Sequence, residues 1–180
     1  MRNGRSGLVF FLLGAGFMLI ETKAVKELGL VFGNTWLTIG LAIAGILTMS
    51  FLANLVVRIF KIRMSLIWFA LLLASIGVGY LMTRVGYHNS DISGKVLCIA
   101  VLTCPLFFSG ILFSALISDA EDISSIMAAN LLGAMFGGMM EYNSMYFGFG
   151  ALYLLAMGFY AFAFLLYSLR PDISGVVTAK

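Results

Sequence analysis

Six long apolar stretches dominate this chain, roughly Gly7 to Phe32, Thr35 to Phe60, Met64 to Met82, Val96 to Ser118, Ile123 to Met140 and Met145 to Leu169. A hydrocarbon core about 30 Å thick takes about 20 residues of helix to cross, and each stretch meets that length or comes near it. Membrane strands are set aside, because a barrel alternates polar and apolar residues over segments of about ten whereas these runs are continuously apolar. Composition agrees: 62% of the 180 residues are hydrophobic and 11% charged, with a mean hydropathy of +1.06. That is too little polar material to coat a water-facing surface, so lipid replaces water over most of it. The expectation is an all-α, polytopic membrane protein with a single six-helix transmembrane domain over residues 1–180.

The breaks between stretches are Gly33-Asn34, Lys61-Ile62-Arg63, Gly86 through Gly94, Asp119 through Asp122, and Tyr142-Asn143-Ser144. Connections this short force antiparallel neighbours. Arg2, Arg5, Arg58, Lys61, Arg63, Arg170 and Lys180 fall on one side, and Arg84 and Lys95 on the other. The excess of basic residues predicts that both termini are cytoplasmic. The net charge of +3 then orients loops, and no nucleic-acid role is read from it. The first stretch is longer than the apolar region of a signal peptide and no small-residue cleavage site follows, so it is read as retained. Cys98 and Cys104 are six apart in one apolar run, which points them to different helix faces and rules out a mutual bridge or zinc clamp.

The first stretch also holds Glu21, Lys23, Lys26 and Glu27. Four ionisable groups within seven residues of a membrane segment are costly unless paired or facing a cavity, which makes them the main functional candidates. Gly16, Ile20, Lys23 and Glu27 share one helical stripe, with Lys23 and Glu27 at ion-pair spacing. Glu21 lies on another face with Gly14 and Met18. A helix charged on two faces suits lipid on neither, so it is expected to be central or broken near Glu21. Three readings stand side by side: lysines snorkelling to the outer headgroups, a substrate or ion pathway, and a partner surface.

In the fifth stretch Asn130, Ala134, Gly137 and Glu141 form a stripe, Gly138 lies beside it, and Ala129, Gly133 and Gly137 place a small residue at every fourth position. Such a repeat lets two backbones approach closely where lipid supplies little hydrophobic drive between helices. Glu141 and the lysines of the first stretch share a depth. Counted from the start of each helix, Lys23, Lys26 and Glu141 lie roughly 24, 28 and 27 Å along the axis. Glu141 is therefore expected to pair with Lys23 or Lys26, and Glu27 or Glu21 to take the other lysine. In the second stretch Ser50, Asn54 and Arg58 are spaced by four and run out toward the basic loop, either anchoring a helix end or contacting another helix. Pro105 removes a backbone bond beside Ser109 and Gly110 in the fourth.

The lone histidine, His88, stands in a polar loop, so intramembrane haem ligation and His-based acyl transfer lack a candidate. No intramembrane aspartate pair is present, nor a glycine-rich phosphate loop, nor an extramembrane segment long enough for a nucleotide domain. No cofactor, metal site or catalytic residue is expected.

The runs FLLGAGFMLIETKAVKELGLVFGNTWL (Phe11 to Leu37), FLANLVVR (Phe51 to Arg58), PLFFSGILFS (Pro105 to Ser114) and NLLGAMFGGMMEYNSM (Asn130 to Met145) occur together here. In combination they resemble the membrane portion of bacterial spermidine-synthase-like membrane proteins, whose helices are similar to major facilitator transporters. The likeness is strongest at Glu21-Thr22-Lys23 and at Asn130, Gly133, Gly137, Gly138 and Glu141, and leaves out the third and sixth helices. That family often carries an aminopropyltransferase-like domain, which these residues do not include, so no catalytic residue is inherited. Half of a major facilitator fold is implied, with Arg58, Lys61 and Arg63 at its basic loop, although that loop's acidic and glycine positions are absent. The resemblance implies a bacterial inner membrane and a transporter-like half module acting in an oligomer. The alternative is a structural or accessory subunit of a larger membrane complex. Partners are then lipids together with a second copy or other membrane subunits.

The basic asymmetry makes a direct prediction. A cysteine placed at Asn89 should react with a membrane-impermeant reagent added outside and one at Lys180 should not, and the opposite labelling would invert the topology.

Overall fold

The computed structural model describes residues 2–33, 35–85, 92–118, 120 and 122–169, with side chains described from residue 6 and not for 84, 85 or 92–97. Its elements are α1 (Arg2–Phe32), α2 (Trp36–Phe60), α3 (Leu66–Val85), α4 (Ile92–Ser118), α5 (Ile123–Met140), a 3-10 turn (Glu141–Asn143), α6 (Ser144–Phe147) and α7 (Gly150–Ser168). No strand occurs among the described residues. Among the described residues six helices are long and apolar enough to cross a membrane, as the six stretches predict, and the chain is built as an integral membrane protein.

Local chemistry sets the ends. Thr35 caps α2, its hydroxyl accepting from the Thr38 amide at 3.2 Å, and Asp122 caps α5 by accepting from the Ser125 amide at 3.2 Å. In each case a side-chain oxygen satisfies an otherwise orphaned first-turn donor. Lys61 ends α2 in the left-handed region at φ 47°, and Gly33, at φ 90°, follows α1. Of the expected breaks, Asn34, residues 86–91, Asp119 and Glu121 lie outside the described residues, as do Arg170 and Lys180. Helix α4 already includes 92–94, and it continues through Pro105.

One boundary is corrected. The polar run Tyr142-Asn143-Ser144 does not separate the fifth and sixth spans. The Asn143 amide bonds back to the Met140 carbonyl at 3.0 Å and Ser144 is buried, so the chain stays helical as far as Phe147. The break comes at Gly148, whose φ of 79° suits glycine, and the last span starts at Gly150 rather than Met145.

Helix α1 is the centre of the bundle and runs unbroken past Glu21. It is the most buried of the six spans, packed by α5, α7, α4 and α2, while α3 fits between α4 and α7. Its apolar residues Val9, Phe10, Leu13, Leu19 and Ile20 meet Phe69, Leu72, Leu102, Leu106, Leu152 and Tyr160 in one core. Phe10 stacks edge-on against Phe113 of α4, centroids 5.7 Å apart. By contrast α2 presents Leu41, Leu47, Phe51, Leu55 and Ile59 outward, the composition expected where lipid is the solvent.

The closest packing is between α1 and α5, which ascend together: Gly7 lies by Ala129, Phe11 by Gly133 and Ala15 by Gly137. A Cβ at Gly133 would run into the Phe11 carbonyl, and one at Gly137 would sit 2.5 Å from the Ala15 carbonyl oxygen. Gly14 answers from the other side, where a Cβ would meet the Asn130 backbone, and the Asn130 amide donates to the Phe10 carbonyl at 3.1 Å. Gly16 points elsewhere, toward the Tyr160 ring of α7, 2.6 Å from where its Cβ would be. Gly138 is at the margin, with Met18 at an ordinary 4.0 Å.

Backbone crowding of this kind gives opposite signs at two glycines. Gly133→Ala should cost about 1–3 kcal/mol, because α1 and α5 must move apart. Gly158→Ala in α7, with open space at its Cβ position, should gain up to about 1 kcal/mol from helix propensity. Thermal unfolding in detergent measures both, and equal shifts at the two sites would refute the close approach.

Candidate functional site

The ionisable residues of α1 sort onto two sides by helix geometry, since residues two apart point about 200° away from each other. Lys23 and Glu27, one turn apart, both point into the bundle. Lys23 is 3% exposed and its Nζ lies 2.9 Å from Glu27 Oε2. The ammonium also stands 5.3 Å from the centre of the Tyr153 ring on α7, a cation–π contact that strengthens where water is excluded. Glu27 Oε2 has no hydrogen-bond donor besides that charge contact. Its other oxygen, Oε1, lies 3.3 Å from the Thr83 hydroxyl of α3, which also donates to the Gly79 carbonyl at 2.9 Å. One hydroxyl proton serves two acceptors, so Glu27 holds the weaker share.

The second pair starts from Lys26, which lies between Lys23 and Glu27 along the axis. Lys26 bonds to Glu141 at the start of the 3-10 turn, and its Nζ stands 5.2 Å from the Phe149 ring centre. The equal depth of the two residues along parallel helices brings them together, and Glu27 takes the remaining lysine. This pair is open, with 38% and 28% of the two side chains exposed. Glu21, turned away from Lys23, is half-buried and has neither an ion-pair nor a hydrogen-bond partner among the described residues.

Between α3, the end of α5 and α7 lies a cleft of about 720 Å³, lined by Tyr80, Thr83, Met140, Asn143, Phe147 and Leu154 among others. Its floor is mostly apolar, with the Thr83 hydroxyl and the Asn143 amide as polar points. Thr83 thus belongs both to the cleft wall and to the surroundings of Glu27. Around the same end of the bundle Trp36, Tyr142 and Tyr146 are exposed, the residue types that settle at the headgroup boundary.

The stripe Ser50, Asn54 and Arg58 does not act as one face. Each step of four turns a helix by about 40°, so Ser50 packs at α4, its Cα 3.8 Å from the Cβ position of Gly110, while Asn54 and Arg58 are exposed. Thr83, Tyr153 and Phe149 were not singled out by spacing. Thr83 falls one residue past the third stretch, Met64 to Met82, and carried no signal of its own. The aromatic partners carried none. Ser109 and Tyr160 share a buried hydrogen bond of 2.7 Å beneath Gly16. Among the described residues no group of three His, Cys, Asp or Glu is placed to hold a metal.

The outer pair has a simple test. Glu141→Lys sets two ammonium groups against each other and should destabilise the protein in detergent by about 1 kcal/mol or more. Adding Lys26→Glu should recover part of that loss, and no recovery in the double variant would show that the two side chains do not meet.

Comparison of the chain with protein-family models, with curated proteins and with solved structures finds no match, so the functional reading rests on these residues.

Proposed function

We propose that the chain is a transporter-like membrane module working within an oligomer, both termini cytoplasmic, in which the Lys23–Glu27 pair stands beside a ligand path. The observation that carries this reading is the double duty of Thr83, which lines the cleft and touches the Glu27 carboxylate. A polar ligand in the cleft that engages the Thr83 hydroxyl withdraws a donor from Glu27. The carboxylate, otherwise held by Lys23 alone, then shifts, and Lys23 moves with it off the Tyr153 ring. A small change in the cleft is passed to the buried pair on α1 through two contacts. The half-module character inferred from the resemblance fits the same arrangement, with the path completed by a further unit.

A structural or accessory role is the second reading, supported by the near-complete burial of Lys23, which suits a rigid lock. Liposomes holding the protein together with whatever mild detergent extracts with it from native membranes, and trapped pH- and cation-reporting dyes, separate the two. Given proton, sodium and potassium gradients in turn, the protein should dissipate at least one. Glu27→Gln and Thr83→Val should reduce that flux by about five- to a hundredfold, the range of a typical coupling free energy. No flux under any gradient, together with foreign subunits co-migrating on a native gel, would favour the accessory role.

A further inference from the structure

Glu21 is the one acidic or basic side chain deep in the described spans that the fold leaves unmatched. It lies five residues, roughly 7 Å at helical rise, inward of Lys26 and the outer pair. That places its charge below the level at which headgroups solvate Lys26, where a partner at its own depth stabilises it. Around it Phe17, Met18, Thr22 and Val25 are also only half-buried. These residues, at spacings of four and three, form an incompletely covered strip of α1 about 12 Å long. Covering α5 draws back to an ordinary 4.0 Å at Gly138 and Met18, and α2 leans mainly on α4.

The charge inventory says what would cover the strip. Of the 11 Lys and Arg residues, Lys23 and Lys26 are committed to Glu27 and Glu141. The other nine lie outside the six spans or, for Arg58, two residues from the end of one. A second copy of this chain would bring the same surplus carboxylate and no free cation at the depth of Glu21. We propose that Glu21 and the strip around it dock a transmembrane helix of a different chain, one that carries a lysine or arginine at that depth. The proposal rests on the oligomeric reading above and deepens it, by making the completing unit a foreign chain rather than a copy.

A photo-crosslinking residue at Phe17, one turn from Glu21, tests it in native membranes, with the crosslinked peptide identified by mass spectrometry. The expected product is a foreign peptide with a lysine or arginine inside an apolar span. Its yield should fall about tenfold or more in Glu21→Gln, and Glu21→Lys should recover it when the partner's basic residue is changed to glutamate. Glu21→Gln should leave the unfolding temperature of the isolated chain unchanged or raised, since no contact within the chain is lost. Crosslinks only to lipid, crosslinks to a second copy, or a foreign peptide whose capture is indifferent to Glu21→Gln would overturn the proposal. Loss of flux in Glu27→Gln without such a partner would overturn this docking alone and leave the transporter reading standing.

Discussion

In hydrocarbon an ammonium group is stabilised by a carboxylate, by an aromatic face or by the membrane edge, and Lys23 has the first two. This requirement organises the bundle. To bring Tyr153 and Thr83 around Lys23 and Glu27, α7 and α3 must pack on one side of α1, and α1 has to be enclosed rather than peripheral. Enclosure in turn depends on α5 approaching to backbone contact, which Gly133 and Gly137 allow and any larger residue would prevent. The glycines and the charges are thus one device. Close approach of α5 also carries Glu141 to Lys26.

The two ion pairs differ in what they contribute. Lys23–Glu27 is local to one helix and buried, so removing either partner strands the other, whereas replacing both by apolar residues of similar size costs little. Lys26–Glu141 joins two helices and is partly open. Its worth lies in fixing the height of α5 against α1 more than in raw energy. Glu21 differs from both, because the fold brings nothing to it.

Much of this was legible in the residues because lipid narrows the choices. Apolar runs of this length must be helices, and Lys23 and Glu27 at a spacing of four must meet if the helix is continuous. Equal depth made the Lys26–Glu141 contact readable across helices, and the fourfold repeat of small residues marked the α5 contact face. What was not legible depended on rotation and neighbours. Helix order around α1 does not follow from run length, so Tyr153, Phe149 and Thr83 could not be assigned as partners. The turn at Tyr142-Asn143-Ser144 was misplaced because polar residues suggested an exit, whereas the Asn143 side chain serves its own helix. The stripe from Ser50 to Arg58 looked straight in sequence and winds off its interface in space.

The separation of α1 from α5 along the chain also has a consequence in time. Lys26 precedes Glu141 by 115 residues, which at ribosomal rates of about 5–20 residues per second is an interval of roughly 6–23 seconds. For most of it the first helix has left the ribosome while its acidic partner has yet to be made. The Lys23–Glu27 contact needs no later segment and can form as soon as the helix does. Lys26 has no such partner within its own turn and waits at the outer boundary, where headgroups solvate it, until the fifth helix arrives. The order of synthesis therefore suits the distribution of charge: the deep lysine is matched at once, and the one left waiting is the one nearest water.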